Sequence, residues 1–322
     1  STGSEAVENC IKLAKTYAME KHGPEKRVLV SYNNAFHGRT LGSQLAGGQP
    51  KLKEWIGYDY PGFVQVPFPD GFKNPDTSFD RFLQTLKEKN VEPGTIAGVL
   101  VESYQGCGPD FLPVEYARKL EAFCREHDIC LIMDEVQAGF ARTGRMFCFE
   151  HYGVRPDLIA CGKGISSSLP ISAVIGRGDI LGLYAPGSMT STHSASPLAV
   201  AAAIANLKIL KGEKLDERAA RLGEILKTGL ERVQRKYPEH MPCLHSLGLV
   251  AGLQVYKPGT RELDPETATR INVACYQRGL LMFAPVGIGG ECLKIAPLLT
   301  IPEDMLEESL QVFEEACDAV LG

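Results

Sequence analysis

Six short stretches of this chain, Val28 to Val30, Phe63 to Val66, Gly98 to Val101, Cys130 to Met133, Leu158 to Cys161 and Ala173 to Gly176, are apolar but for Gln65 and show no sustained alternation with polar residues. A strand wetted on one face alternates, whereas one covered on both faces reads as a continuous apolar run. Helical or polar stretches such as Val114 to His127 separate the runs. The pattern predicts an α/β fold, with a mainly parallel sheet sandwiched by helices. Two of the runs end on reactive side chains: Leu131-Ile132-Met133 leads into Asp134, and Leu158-Ile159-Ala160-Cys161-Gly162 leads into Lys163. The carboxyl ends of parallel strands face the ligand crevice, so an acid and an amine delivered there can meet one bound molecule.

The flanks fit the same plan. Thr2 with Glu5 makes a capping box, Val7, Cys10, Ile11, Ala14 and Ala18 stripe one helix, and Gly23-Pro24 stops it. From Lys214 the texture changes. Leu215, Ala219, Leu222, Leu226, Leu230 and Val233 stripe a long amphipathic helix, short strands are expected near Leu249 to Val255 and Leu280 to Phe283, and a helix closes the chain around Met305 to Leu321. This divides the chain into a large domain, residues 1–212, and a smaller C-terminal α+β domain, residues 213–322. The sequence opens without methionine directly at a helix start, which reads as an N-terminally trimmed protein.

Composition narrows the partners. A net charge of -5 over 322 residues gives no general attraction to nucleic acid or acidic membranes. No apolar run approaches the ~20 residues of a membrane span. Ten cysteines without a CxxC pair, several inside apolar segments, read as free core thiols in a reducing cytoplasm. Small molecules are the expected partners, and no metal site is expected.

Counting excludes nucleotide loops. A phosphate-binding G-x-x-x-x-G-K-[ST] needs glycine at 157 and a hydroxyl at 164, where the chain has Asp157 and Gly164, and no glycine cluster shows G-x-G-x-x-G. Gly3 and Ser4 instead open a helix whose unpaired amides favour an anion, although alone they would pass for an ordinary helix start. A lysine that can form an imine with an aldehyde, an acid that can hold a pyridine nitrogen protonated and an anion-binding helix start together describe a pyridoxal 5'-phosphate site. Burial of Lys163 there would favour its neutral amine. An acid ending so apolar a strand as Cys130 to Met133 is costly without a partner, and a pyridinium is one; a helix cap is the other.

Seven segments in order, Thr2-Gly3-Ser4-Glu5-Ala6-Val7-Glu8, Ala35-Phe36-His37-Gly38-Arg39-Thr40, Val101-Glu102-Ser103-Tyr104-Gln105-Gly106, Asp134-Glu135-Val136-Gln137-Ala138-Gly139-Phe140, Arg142-Thr143-Gly144, Gly162-Lys163-Gly164 and Ser196-Pro197-Leu198-Ala199, resemble class III (ornithine-, acetylornithine- and 4-aminobutyrate-type) aminotransferases of fold type I. The resemblance implies a Lys163 Schiff base with pyridoxal 5'-phosphate and transfer of an amino group from an amino acid or ω-amine to a keto acid such as 2-oxoglutarate or pyruvate. It places Gly3 and Ser4 at the cofactor phosphate, Phe36 and Val136 against the ring faces, His37 beside it, Asp134 at the ring nitrogen and Gln137 at the ring hydroxyl. Glu102 becomes a supporting partner, and Arg39, Ser191 and Lys294 face substrate. Thr192 would reach the phosphate of a neighbouring subunit, which implies a homodimer with shared sites.

Departures from the pattern affect the substrate. Cys107 stands where many members carry a carboxylate, and Lys294 where they carry its arginine partner. Lysine lacks the planar fork that grips a carboxylate, so an altered carboxylate pocket is expected, with a merely solvated Lys294 as the alternative. His193 replaces an aromatic and Ser196 an asparagine. The same electron sink serves decarboxylating or isomerising relatives, and a silent relative acting as a binding subunit is a further reading.

Overall fold

The computed structural model describes residues 1–58 and 60–322. All six apolar runs are strands of one sheet. In chain order these are β1 (Val28–Tyr32), β2 (Phe63–Val66) and β3 (Ile96–Glu102), then, after a small hairpin of β4 (Tyr104–Gln105) and β5 (Asp110–Phe111), β6 (Cys130–Asp134), β7 (Leu158–Cys161) and β8 (Ala173–Gly176). The spatial order is β2-β1-β3-β6-β7-β8. The first five strands are parallel and β8 closes the edge antiparallel to β7.

The helix α1 (Gly3–His22) explains why the sheet's interior is so apolar. Its residues Val7, Cys10, Ile11, Ala14 and Tyr17 pack with Leu29, Leu100, Ile132, Leu158 and Ala160 in one cluster. Each large aliphatic side chain so covered contributes about 1.5–3 kcal/mol. Ala14 comes within 3.3 Å of where a side chain on Gly98 would start, so the mid-sheet glycine lets the helix sit close. Short α2 (Leu41–Ala46) follows β1, while α3 (Phe79–Glu88) and α4 (Val114–Glu126) supply Phe79, Phe82, Tyr116 and Phe123 to an aromatic cluster around Tyr32. After the sheet come α5 (Gly178–Leu181) and α6 (Pro197–Gly212). All ten cysteines are free and buried.

The chain forms two compact units. One comprises Ser1–Tyr104, Phe111–Phe140 and Phe147–Ile209; the other comprises Gln105–Asp110, Ala141–Met146 and Leu210–Gly322. The second unit has a three-stranded antiparallel sheet, β9 (Cys243–Ser246), β10 (Ala251–Gln254) and β11 (Cys292–Ile295), in the order β11-β10-β9. Leu253 and Leu293 belong to a core shared with α7 (Leu215–Lys236), α8 (Pro265–Gln277) and α9 (Glu303–Leu321). The strand expected at Leu280 to Phe283 does not form. Leu280 N–H donates to Cys275 O, the last turn of α8, Asn272 Nδ2 holds Phe283 O at 2.7 Å, and Leu281 is left 82% exposed. Local capping bonds have won over strand propensity there.

The opposite face of this small sheet is polar and grips the segment Gln105–Asp110. Gln254 Nε2 donates to Gly108 O at 2.9 Å, and His245 Nδ1 meets Asp110 Oδ1 at 3.0 Å with Cys243 Sγ at 3.6 Å from Nε2. Burial alone would lower the His245 imidazole, but the hydrogen bonds to Asp110 and Cys243 outweigh it and raise it to about 10. Its unfolded value is near 6.5. A raised folded value means the stabilisation is complete below pH 6.5, shrinks above it and is gone beyond about pH 10. Melting curves should therefore show His245→Gln lagging the wild type most at pH 6, with the gap closing by pH 10; a gap constant with pH contradicts the assignment.

Candidate active site at the carboxyl ends of the parallel strands

Adjacent strands bring the site together. Register pairs Glu102 with Asp134, and Asp134 with Ala160, so the ends of β3, β6 and β7 lie side by side. Asp134, 4% exposed, is held at both oxygens: His37 Nδ1 lies 2.8 Å from Oδ2, and Val136 N–H donates to Oδ1 at 3.0 Å. His37 is equally buried, and its other nitrogen, Nε2, has no hydrogen-bond partner. Glu102 Oε2 accepts Phe36 N–H at 2.9 Å, fixing the loop that carries Phe36 and His37.

Glu135, next in the chain, turns the other way. Its carboxylate takes the N–H groups of Cys148 and Phe149, each at 2.9 Å, and the Ser103 hydroxyl. It caps the turn Cys148–His151. Burial pushes it up to about 7 despite those bonds. Burial, with Asp134 next, also drives the Cys10 thiol well above its usual value.

Lys163 follows β7 and opens a single turn, Lys163–Ile165, with φ +36. A non-glycine residue in this left-handed region is strained, and such strain concentrates at functional sites. The glycines beside it have packing reasons. Gly162 lies against Val136 and against Gly3, whose Cα is 3.3 Å from where a side chain would start; a side chain on Gly164 would meet Phe140 Cβ at 2.9 Å. Position 3 is equally closed, since a side chain there would start 2.5 Å from Val136 Cγ1. The first turn of α1, the end of β6 and the lysine turn therefore meet at one point. The burial expected of Lys163 is not found: the residue is exposed.

The other sequence-predicted residues are less tightly gathered. Val136 and Gln137 are half-buried, and Gln137 O accepts the Tyr104 hydroxyl at 3.2 Å. Arg39 is exposed, its guanidinium 5.9 Å from the Phe36 ring centre, and its N–H donates to Ser4 Oγ at 3.2 Å. Ser191 and Thr192 are exposed in the loop before α6. Lys294 belongs to the second unit, where it is buried and donates to Gly106 O at 3.0 Å, so the solvated alternative fails. Sequence reasoning passed over Glu8. The signal was its i,i+4 spacing from Ser4, which puts both on one face of α1.

The residues fit pyridoxal 5'-phosphate. A buried carboxylate backed by a histidine with one orphaned nitrogen suits a ring cation, and a helix start kept bare by Gly3, with the Ser4 hydroxyl beside it, suits a phosphate.

Solved transaminases share this fold. An (S)-enantioselective ω-transaminase from Thermomicrobium roseum superposes with a TM-score of 0.90 at 28% identity, covering 100% of this chain and 74% of that one. Among curated relatives, a probable 4-aminobutyrate aminotransferase of Bacillus subtilis (strain 168) is 35% identical over 325 residues, 98% of this chain and 73% of the relative. An acetylornithine aminotransferase of Caldanaerobacter subterraneus is 31% identical, over 99% of this chain and 75% of the relative. The fold is thus that of the fold type I transaminases. The model for class-III aminotransferases matches residues 1–317, and the chain belongs to that family of amino-group-transferring, pyridoxal-phosphate-dependent enzymes. Among the described residues no helix is long and apolar enough to cross a membrane.

Proposed function

We propose that this chain transfers an amino group from an amino acid or ω-amine to a keto acid such as 2-oxoglutarate or pyruvate, with pyridoxal 5'-phosphate bound covalently through Lys163. The observation that carries it is the convergence of Gly3, Val136 and Gly162, which puts the helix start, the Asp134 loop and the lysine turn at one place. When bound, the cofactor supplies an aldehyde that accepts amines and a ring that withdraws electrons from the carbon bearing the nitrogen. Asp134, oriented by His37 and Val136 N–H, holds the proton on the ring nitrogen. Ser4 and the first amides of α1 bind the phosphate. Phe36 and Val136 cover the ring faces, and Gln137 binds the ring hydroxyl. Lys163 Nζ moves a proton to and from the carbon that carries the amine. Arg39 and Ser191 face substrate.

The chain acts as a cytoplasmic homodimer in this reading, with the exposed Thr192 serving the partner's phosphate site. The large domain binds the cofactor, and the smaller one carries Lys294. Its Lys294 acts there by fixing Gly106 beside Cys107, where an arginine–carboxylate pair is absent. The names of relatives acting on 4-aminobutyrate and 5-aminovalerate support an ω-amino donor.

The test is a donor screen read by keto-acid consumption, with and without added pyridoxal 5'-phosphate. Cofactor-dependent turnover of at least one amine supports the proposal; cofactor-independent or absent turnover across the panel removes it. In the same screen, Lys294→Arg should alter relative donor rates by about tenfold, the scale of one lost or gained hydrogen bond. An unchanged donor profile would show that position 294 does not shape the pocket.

A further inference from the structure

Ser4 and Glu8 stand one turn apart on α1, and both reach the loop that carries Phe36 and His37. Ser4 Oγ takes Arg39 N–H at 3.2 Å. One oxygen of Glu8, Oε1, takes both the Thr40 hydroxyl at 2.6 Å and Ser43 N–H at 3.0 Å. Two glycines make room for this knot. Gly38, at φ +137, has the Ser4 and Ser43 hydroxyls where a side chain would be, and at Gly42 a side chain would fall on the Glu8 carboxylate. The loop is thus tied down at Phe36 by Glu102, at His37 by Asp134, at Arg39 by Ser4, and at Thr40 and Ser43 by Glu8.

Resting on the reading that the first turn of α1 receives the cofactor phosphate, we propose that Glu8 is a positioning residue, which locks the His37–Thr40 loop to that turn and so sets Ser4 and His37 for the cofactor. Glu8 touches neither cofactor nor substrate. Loops without such ties order only on binding, and that ordering subtracts from affinity. Because a single oxygen accepts both bonds, a glutamine side-chain carbonyl can replace it. The role is one of geometry, not of charge.

The experiment measures the dissociation constant of pyridoxal 5'-phosphate for the cofactor-free protein by absorbance titration, beside the melting temperature of the same samples. Glu8→Ala is expected to bind about tenfold more weakly at nearly unchanged melting temperature, with Glu8→Gln restoring affinity to within about threefold of wild type. Thr40→Val, which removes one of the two donors, is expected to fall between and decides the matter if Glu8→Ala does not fold. Wild-type affinity in Glu8→Ala or Thr40→Val overturns the proposal. So does an equal loss in Glu8→Gln and Glu8→Ala, or a loss of melting temperature without loss of affinity. A wild-type protein that shows no saturable binding overturns the cofactor reading itself, and this inference with it.

Discussion

Lys163→Ala is expected to lose amino transfer by about 10⁴-fold, the upper range for removing a group that both bonds and relays protons. Borohydride should fix pyridoxal phosphate to the wild-type chain and leave the variant unmodified, as intact mass will show. The fold should survive the change. Lys163 is exposed, the core beneath is built from Ile159, Ala160 and Cys161, and the neighbouring glycine contacts need no lysine side chain. Alanine even keeps the same penalty at φ +36, so backbone strain is not relieved. If the variant retains a tenth of wild-type turnover, or still takes up cofactor covalently, another amine is responsible and the assignment is wrong.

Asp134→Asn is expected to cost on the order of 10³-fold in turnover, comparable to removing one preorganised electrostatic group. Asparagine is almost the same shape, and its carbonyl can still accept Val136 N–H. Its amide, however, presents a donor where Oδ2 faced His37 Nδ1, and it brings no charge to oppose a ring cation. The imidazole must then change tautomer, with its proton on the nitrogen that has no partner. Turnover should fall far more than cofactor affinity, because the phosphate contacts proposed for α1 are untouched. A variant with more than half of wild-type turnover would mean the carboxylate serves the fold alone.

The sheet was legible because burial on both faces leaves a plain record: β7, buried throughout, begins and ends where its apolar run does, and the partly buried edge strands β2 and β8 do so as well. Asp134 and Lys163 were legible for the same reason, being polar side chains at the ends of strands that tolerate none inside. β9 was not, since Cys243-Leu244-His245-Ser246 alternates over only four residues and its polar side faces chain rather than water. Leu280 to Phe283 misled in the opposite direction, as β-prone side chains without a neighbouring strand within reach of their backbone. Lys294 shows a further limit. Its residue type hinted at an altered pocket, but the bond to Gly106 O depends on a segment some 190 positions earlier, which spacing cannot reveal. Glu8 was overlooked because half-buried acids on helices are ordinarily solvated.

Asp134 meets His37 and Val136 N–H within the chain itself, so this buried carboxylate has protein partners at both oxygens. If the chain binds pyridoxal phosphate as proposed, that carboxylate meets the ring nitrogen already oriented, with little left for binding to arrange.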